Sequence, residues 1–249
     1  MLTKNNQTLN YPLLIRFLIV CGAIGPLLFI LVFLVEDVTR PGYSAWHNFV
    51  SELSLSNQGW IQIANFLICG VLVLCFAFGL RQVFRSGKGS TWGPLLLGIF
   101  GLSLIIVGIF VTDPSLGYPP GSSGGVQTLH GTIHGIGAPL AFGSLAIAIF
   151  VLARRFASDP AWRGWASYSL VTGIILVASF IASLTVAVLD EKGLMPNAPA
   201  GLLERIAIIL GWGWIALLAI RLLRQMPLSV SPVHSTEEAD INTSLQENV

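Results

Sequence analysis

Six long apolar stretches separated by short polar turns dominate this chain. They cover residues 13–35, 60–83, 92–112, 129–153, 164–189 and 201–224, and each meets the roughly 20 residues a helix needs to cross a bilayer. In lipid the backbone amides and carbonyls have no water to bond, so a spanning segment must satisfy them internally, as an α-helix does. The pattern therefore predicts an all-α polytopic membrane protein with six transmembrane helices in one domain, residues 13–224. The connections are too short to hold a soluble domain. The first stretch has the hydrophobicity of a signal peptide, but it has no small-x-small cleavage site and runs into Glu36-Asp37, so it reads as a retained span. Residues 1–12 read as a flexible N-terminus. Residues 225–249, with Pro227, Pro232 and little apolar mass, read as a disordered tail.

The first connection carries its own pattern. On a helical wheel Trp46, Phe49, Val50 and Leu53 fall within an arc of roughly 100°, with Ser44, His47, Asn48, Ser51 and Glu52 on the other side. This predicts a short amphipathic interfacial helix over 44–55, capped by Ser44, with His47 and Ser51 sharing a face. Thr91 is placed to cap the third helix, and Ser158-Asp159-Pro160 marks a helix start. In the fifth span Ser169, Thr172, Ser179 and Ser183 form one stripe. Such a stripe suits a tight seam against a neighbouring helix; the alternative is a polar path for a substrate.

Composition agrees with the pattern. The chain is 54% hydrophobic and 10% charged, with mean hydropathy +0.77, where a soluble domain carries about 25% charged residues. A net charge of +1 argues against a nucleic-acid partner and leaves membrane lipid as the surroundings. Basic residues concentrate at the N-terminus (Lys4, Arg16), the second loop (Arg81, Arg85, Lys88), the fourth loop (Arg154, Arg155, Arg163) and the last helix end (Arg221, Arg224), against Arg40, Lys192 and Arg205 elsewhere. This bias predicts cytoplasmic termini and outward first, third and fifth loops. Cys21, Cys69 and Cys75 fall inside spans and read as structural thiols.

The candidate chemistry gathers on the outward side. His130 and His134, four apart, put two imidazoles one turn apart on a helix face. With His47 they would suit zinc, whose bound water Asp113 would orient or deprotonate while Ser51 met a developing oxyanion; Glu52 completes the catalytic set. Haem is disfavoured, because a ring held between spans wants deeper histidines. Interfacial histidines and an Asp-Pro at a helix end equally suit plain capping of backbone groups. Arg205 has Asp113 or Glu52 as candidate partners, and Arg40, Tyr43 and Arg205 are candidates for contact with a substrate head group. Glu204 reads as a structural acid at a helix N-terminus. The Gly117–Gly125 loop reads as a linker or as a lid over the site.

Residues Arg40-Pro41-Gly42-Tyr43, Val50-Ser51-Glu52-Leu53-Ser54, Gly59-Trp60 with Asn65-Phe66, Asp113-Pro114 and His130-x-x-x-His134 resemble a prokaryotic membrane family known as domain of unknown function 998. The resemblance covers about residues 13–224 and implies a six-helix membrane protein with no assigned reaction. A distant, part-wise similarity links the inventory His47, Ser51, Asp113, His130 and His134 to the alkaline ceramidase and adiponectin-receptor superfamily, which builds an intramembrane zinc site from such residues. Here Ser51 follows His47 instead of preceding it, and the HxxxH lies on the fourth of six spans rather than the last of seven. Together these features predict a multi-pass plasma-membrane protein acting as a zinc-dependent hydrolase on a lipid or amphiphile at the outer leaflet. The alternative is a non-catalytic binding, transport or structural protein using the same cluster for head-group or proton recognition.

Overall fold

Inside a bilayer a helix bundle is apolar on both faces, because its core and its lipid-facing surface have the same chemistry. What shapes the bundle is therefore side-chain size and the few polar groups. The computed structural model describes residues 13–122 and 125–226; the segment 1–12 and the tail from Pro227, both expected to be flexible, lie outside these residues. Among the described residues six helices are long and apolar enough to span a membrane. They are α1 (Leu13–Thr39), α2 (Trp60–Val83), α3 (Trp92–Ile109), α4 (Leu129–Phe156), α5 (Arg163–Glu191) and α6 (Ala200–Arg224). Short 3-10 helices at Val50–Ser54 and Pro160–Trp162 sit in the connections.

Each helix packs on its neighbour in sequence, and α1 packs on α6, closing a ring. Aromatic side chains fill its middle. The Trp212 ring lies 4.6 Å from that of Phe100, 5.3 Å from Phe29 and 5.9 Å from Phe142, with Phe142 stacked on Phe180 at 4.0 Å. Leu31 and Ile136, by contrast, face outward and are exposed. Small residues set the closest approaches: a Cβ on Gly101 would lie 2.9 Å from the Gly70 carbonyl, and one on Gly70 would lie 2.8 Å from the Gly101 carbonyl. The serine stripe of α5 forms a seam, in which Ser169 Oγ accepts from Trp214 Nε1 at 2.9 Å and Ser183 Oγ donates to the Ala200 carbonyl at 2.7 Å.

The helix ends depart from the hydropathy boundaries where polar groups intervene. Helix α1 continues to Thr39 because Glu36, Asp37 and Arg40 find partners inside the protein. Helix α3 stops at Ile109, and its last carbonyls turn to the His134 ring. Thr91 occupies the N-cap of α3 without a side-chain bond, whereas Asp159 caps the Pro160–Trp162 turn through Ala161 N at 2.9 Å.

The first connection differs most from its prediction. Residues 44–48 form a turn, and only Val50–Ser54 is helical, as one 3-10 segment. Ser44 caps nothing: its carbonyl accepts from His47 N and Asn48 N, and its amide donates to Asn48 Oδ1. Val50, Leu53 and Glu52 are all buried, so both sides of the predicted wheel face protein. An amphipathic helix would have left Glu52 in water; here it finds three donors in the fold.

We expect Gly101→Ala to destabilise the bundle by about 1–3 kcal/mol and Gly98→Ala to be neutral or mildly stabilising, since a Cβ on Gly98 meets nothing closer than 4.0 Å. Denaturant unfolding in micelles separates the two.

Candidate functional site

Arginine carries five N–H donors, and Arg205 uses all of them within the protein. Nε and Nη2 bind Asp37 at 2.8 and 2.6 Å, Nη2 also donates to the Tyr43 hydroxyl, and Nη1 donates to the Asn48 and Gly201 carbonyls at 2.9 Å each. Its partner is thus Asp37, not Asp113 or Glu52. Arg40 pairs with Glu36 and donates to Ser56 Oγ at 2.9 Å and the Gln58 carbonyl at 3.2 Å. The Tyr43 hydroxyl donates its own hydrogen bond to the Phe49 carbonyl at 2.9 Å. All three residues anchor the first connection; a head group would reach them only by breaking these bonds.

So anchored, the connection becomes a roof. The Trp46 and His47 carbonyls accept from Leu202 N and Gly201 N, satisfying amides at the start of α6 that have no partner within the helix. Val50 N donates to Glu204 Oε2 at 2.7 Å. Glu52 accepts from Phe49 N at 2.8 Å and from Ser115 N and Oγ at 3.2 and 2.9 Å, tying the roof to the third connection. Asp113 accepts from Thr128 N and Oγ at 2.8 and 2.6 Å, at the entry to α4, and these bonds hold its carboxyl below the usual range.

Beneath the roof lies a cavity of about 460 Å³ bounded by the roof, α4, α5 and the start of α6. We call it the vestibule. Gly135, Pro139 and Leu184 on its α4 and α5 walls are also exposed on the flank of the bundle. Asp113, Glu191 and Glu204 line it, and among the described residues no lysine or arginine does. It leads to a chamber of about 40 Å³ walled by Phe29, Phe66, Leu104 and Trp212. Four residues line both spaces and form a throat: Ser51, His134, Ala138 and Glu204.

The structure thus brings Ser51, Asp113 and His134 to one cavity. His47 stands in an adjoining recess that shares Pro114, Ser115, Gly125 and Glu191 with the vestibule, its Nδ1 3.1 Å from the Ala198 carbonyl and 3.2 Å from Asp190 Oδ2. His130 is exposed, edge-on to Phe110 at 5.2 Å. Glu52 belongs to the roof. Among the described residues no group of three or more His, Cys, Asp or Glu side chains is placed to hold a metal ion. Sequence reasoning missed Asp37 as the partner of Arg205, and it missed Glu191 and Glu204 as cavity walls. The depth of Glu204 in a span was the available signal, since ionisable groups there mark function by default.

His134 is the buried imidazole of the set. Its Nδ1 lies 2.8 Å from the Phe110 carbonyl and 3.1 Å from the Val107 carbonyl. Carbonyls only accept, so Nδ1 carries a proton, and in the neutral form of the ring Nε2 is the nitrogen with the lone pair.

Burial pushes the Glu52 carboxyl up to about 7, against the bonds from Ser115 and Phe49 that lower it. A carboxyl raised on folding holds its proton more tightly in the folded state, so its stabilisation is full below about 4.5 and is lost as pH rises through about 7. We expect the thermal midpoint in detergent to fall across that window, and the Glu52→Gln variant to lose that part of the dependence.

Comparison with curated proteins and with solved structures returns no match, so the likeness to the ceramidase and adiponectin-receptor superfamily rests on residue inventory alone. A family model described as "Protein of unknown function (DUF998)" matches residues 23–221. With six apolar helices in a closed ring and the match extending over most of them, the chain is a multi-pass membrane protein that belongs to this DUF998 family.

Proposed function

We propose that this protein binds a membrane amphiphile with a positively charged head, taken into the vestibule from the lipid side between α4 and α5. One observation carries the proposal: the vestibule joins an acidic lining free of lysine and arginine to an apolar wall exposed on the bundle flank. Asp113 is held in its charged form by Thr128, and Glu191 is exposed beside it, so the cavity attracts cations and repels phosphate heads. The apolar chain lies against Ala138, Pro139, Phe180 and Leu184. The excess of Lys and Arg in the second and fourth loops and at the chain-terminal ends of the first and last helices supports a site in the leaflet away from the cytoplasm. The arginines expected to contact an anionic head point elsewhere, which favours this charge class over the opposite one.

The test is equilibrium binding in nanodiscs of uncharged lipid, comparing a fluorescent long-chain amine with the same chain bearing a phosphate. We expect the amine to bind at least tenfold more tightly, and Glu191→Gln to weaken it several-fold without changing the unfolding midpoint. Equal affinity for both heads overturns the proposal.

A further inference from the structure

We propose that Ser51 and His134 are a nucleophile and its general base, so that an acyl amphiphile held at the throat is cleaved by acyl transfer to Ser51 and then to water. The inference rests on the amphiphile-binding proposal and adds the reaction.

The first support is the state of the Ser51 hydroxyl. The hydroxyls of Ser54, Ser103, Ser144, Ser169 and Ser183 all donate to backbone carbonyls at 2.6–3.0 Å. Such bonds occupy a hydroxyl's only proton. Ser51 contributes its carbonyl to Ser54; its hydroxyl, like that of Ser179 in the α5 seam, makes no hydrogen bond among the described residues, His134 included, and unlike Ser179 it lines the throat.

The second support is His134. In a serine–histidine pair the base must present one ring nitrogen as a lone pair, with the other held by an acceptor that sets the tautomer. The Val107 and Phe110 carbonyls supply that hold at Nδ1, and Nε2 is the nitrogen left for a proton. These carbonyls belong to the end of α3, so the orientation of the ring is built into the bundle.

The third is location. Ser51 and His134 line the vestibule together with both its acidic residues and its apolar α4–α5 wall, so an amphiphile bound as proposed brings its carbonyl into the space they share, and both residues also border the chamber. The chamber wall holds Trp212, whose buried Nε1 has no partner among the described residues. A buried water needs about 10–15 Å³ of such space and polar partners, and the chamber's roughly 40 Å³ together with this free donor supply both.

The steps balance. Ser51 Oγ attacks the acyl carbonyl as its proton moves to His134 Nε2. The tetrahedral oxyanion collapses, breaking the bond to the alcohol or amine, which leaves with the proton from Nε2. A water then attacks the acyl-serine, giving a proton to Nε2; the carboxylic acid departs and Ser51 Oγ regains its proton. The substrate class is a long-chain acyl ester or amide whose head carries positive charge.

The experiment treats the protein in uncharged-lipid nanodiscs with a long-chain alkyl fluorophosphonate and maps the adduct by peptide mass. We expect one adduct on Ser51, none in Ser51→Ala, unchanged labelling in Ser54→Ala, and labelling slowed roughly hundredfold or more in His134→Ala. Ser51→Ala breaks no bond in the protein, so its folding, checked by thermal unfolding, keeps the test decisive should His134→Ala fail to fold. Excess long-chain amine should protect Ser51. Absence of an adduct, or an adduct on another residue, in protein that still binds the amine overturns the inference and leaves the binding proposal standing. Labelling of Ser51 that the amine does not slow overturns the binding proposal instead.

Discussion

A guanidinium at the rim of an oily bundle has to be neutralised within the protein, and much of this structure follows from how Arg205 is satisfied. Asp37 supplies the counter-charge from the end of α1, and Tyr43 and Asn48 supply acceptors from the connection that follows. Removing either charge of a buried pair leaves the other uncompensated, which costs about 3–5 kcal/mol. The pair thus binds the first helix to the last, closing the ring, and in the same stroke pulls the first connection inward. Gly201 permits this, because a side chain there would run into the Asn48 carbonyl.

Once the connection is drawn in, its backbone amides need acceptors. Glu204 takes Val50 N, and Glu52 takes Phe49 N and Ser115 N; across the cavity Asp113 takes Thr128 N. Three carboxylates that a sequence scan reads as catalytic or helix-dipole residues are thereby struts between elements. Burial of Glu52 and Glu204 is tolerable because each accepts hydrogen bonds from backbone amides at 2.7–3.2 Å. Among the described residues the Ser51 hydroxyl and the Trp212 indole N–H have no hydrogen-bond partner, and together with the His134 ring they line two adjoining spaces.

Several elements were legible from the chain. The six spans and the α5 serine seam follow from hydropathy and small-residue packing. The ends of α1 and α3 were less so, since charged partners extend one helix and a histidine from another turns the last carbonyls of the other. The 44–55 segment was misjudged because a helical wheel assumes one buried face, whereas this segment is buried on both. For the site, Ser51, Asp113 and His134 could be singled out as polar residues near the membrane rim, but His130 has identical spacing credentials and stands exposed outside the cavity.

Sequence alone determined the number of spans, the class of fold and the family, because bilayer thickness and the cost of unpaired polar groups in lipid act on local composition. Tertiary structure alone decided the pairing of Arg205 with Asp37, the inward fold of the roof and the acidic character of the vestibule. Those depend on which helix faces meet, and in a chain apolar on every face periodicity does not encode which side turns inward. Contacts between residues more than 150 positions apart, such as Val50 with Glu204, settle it.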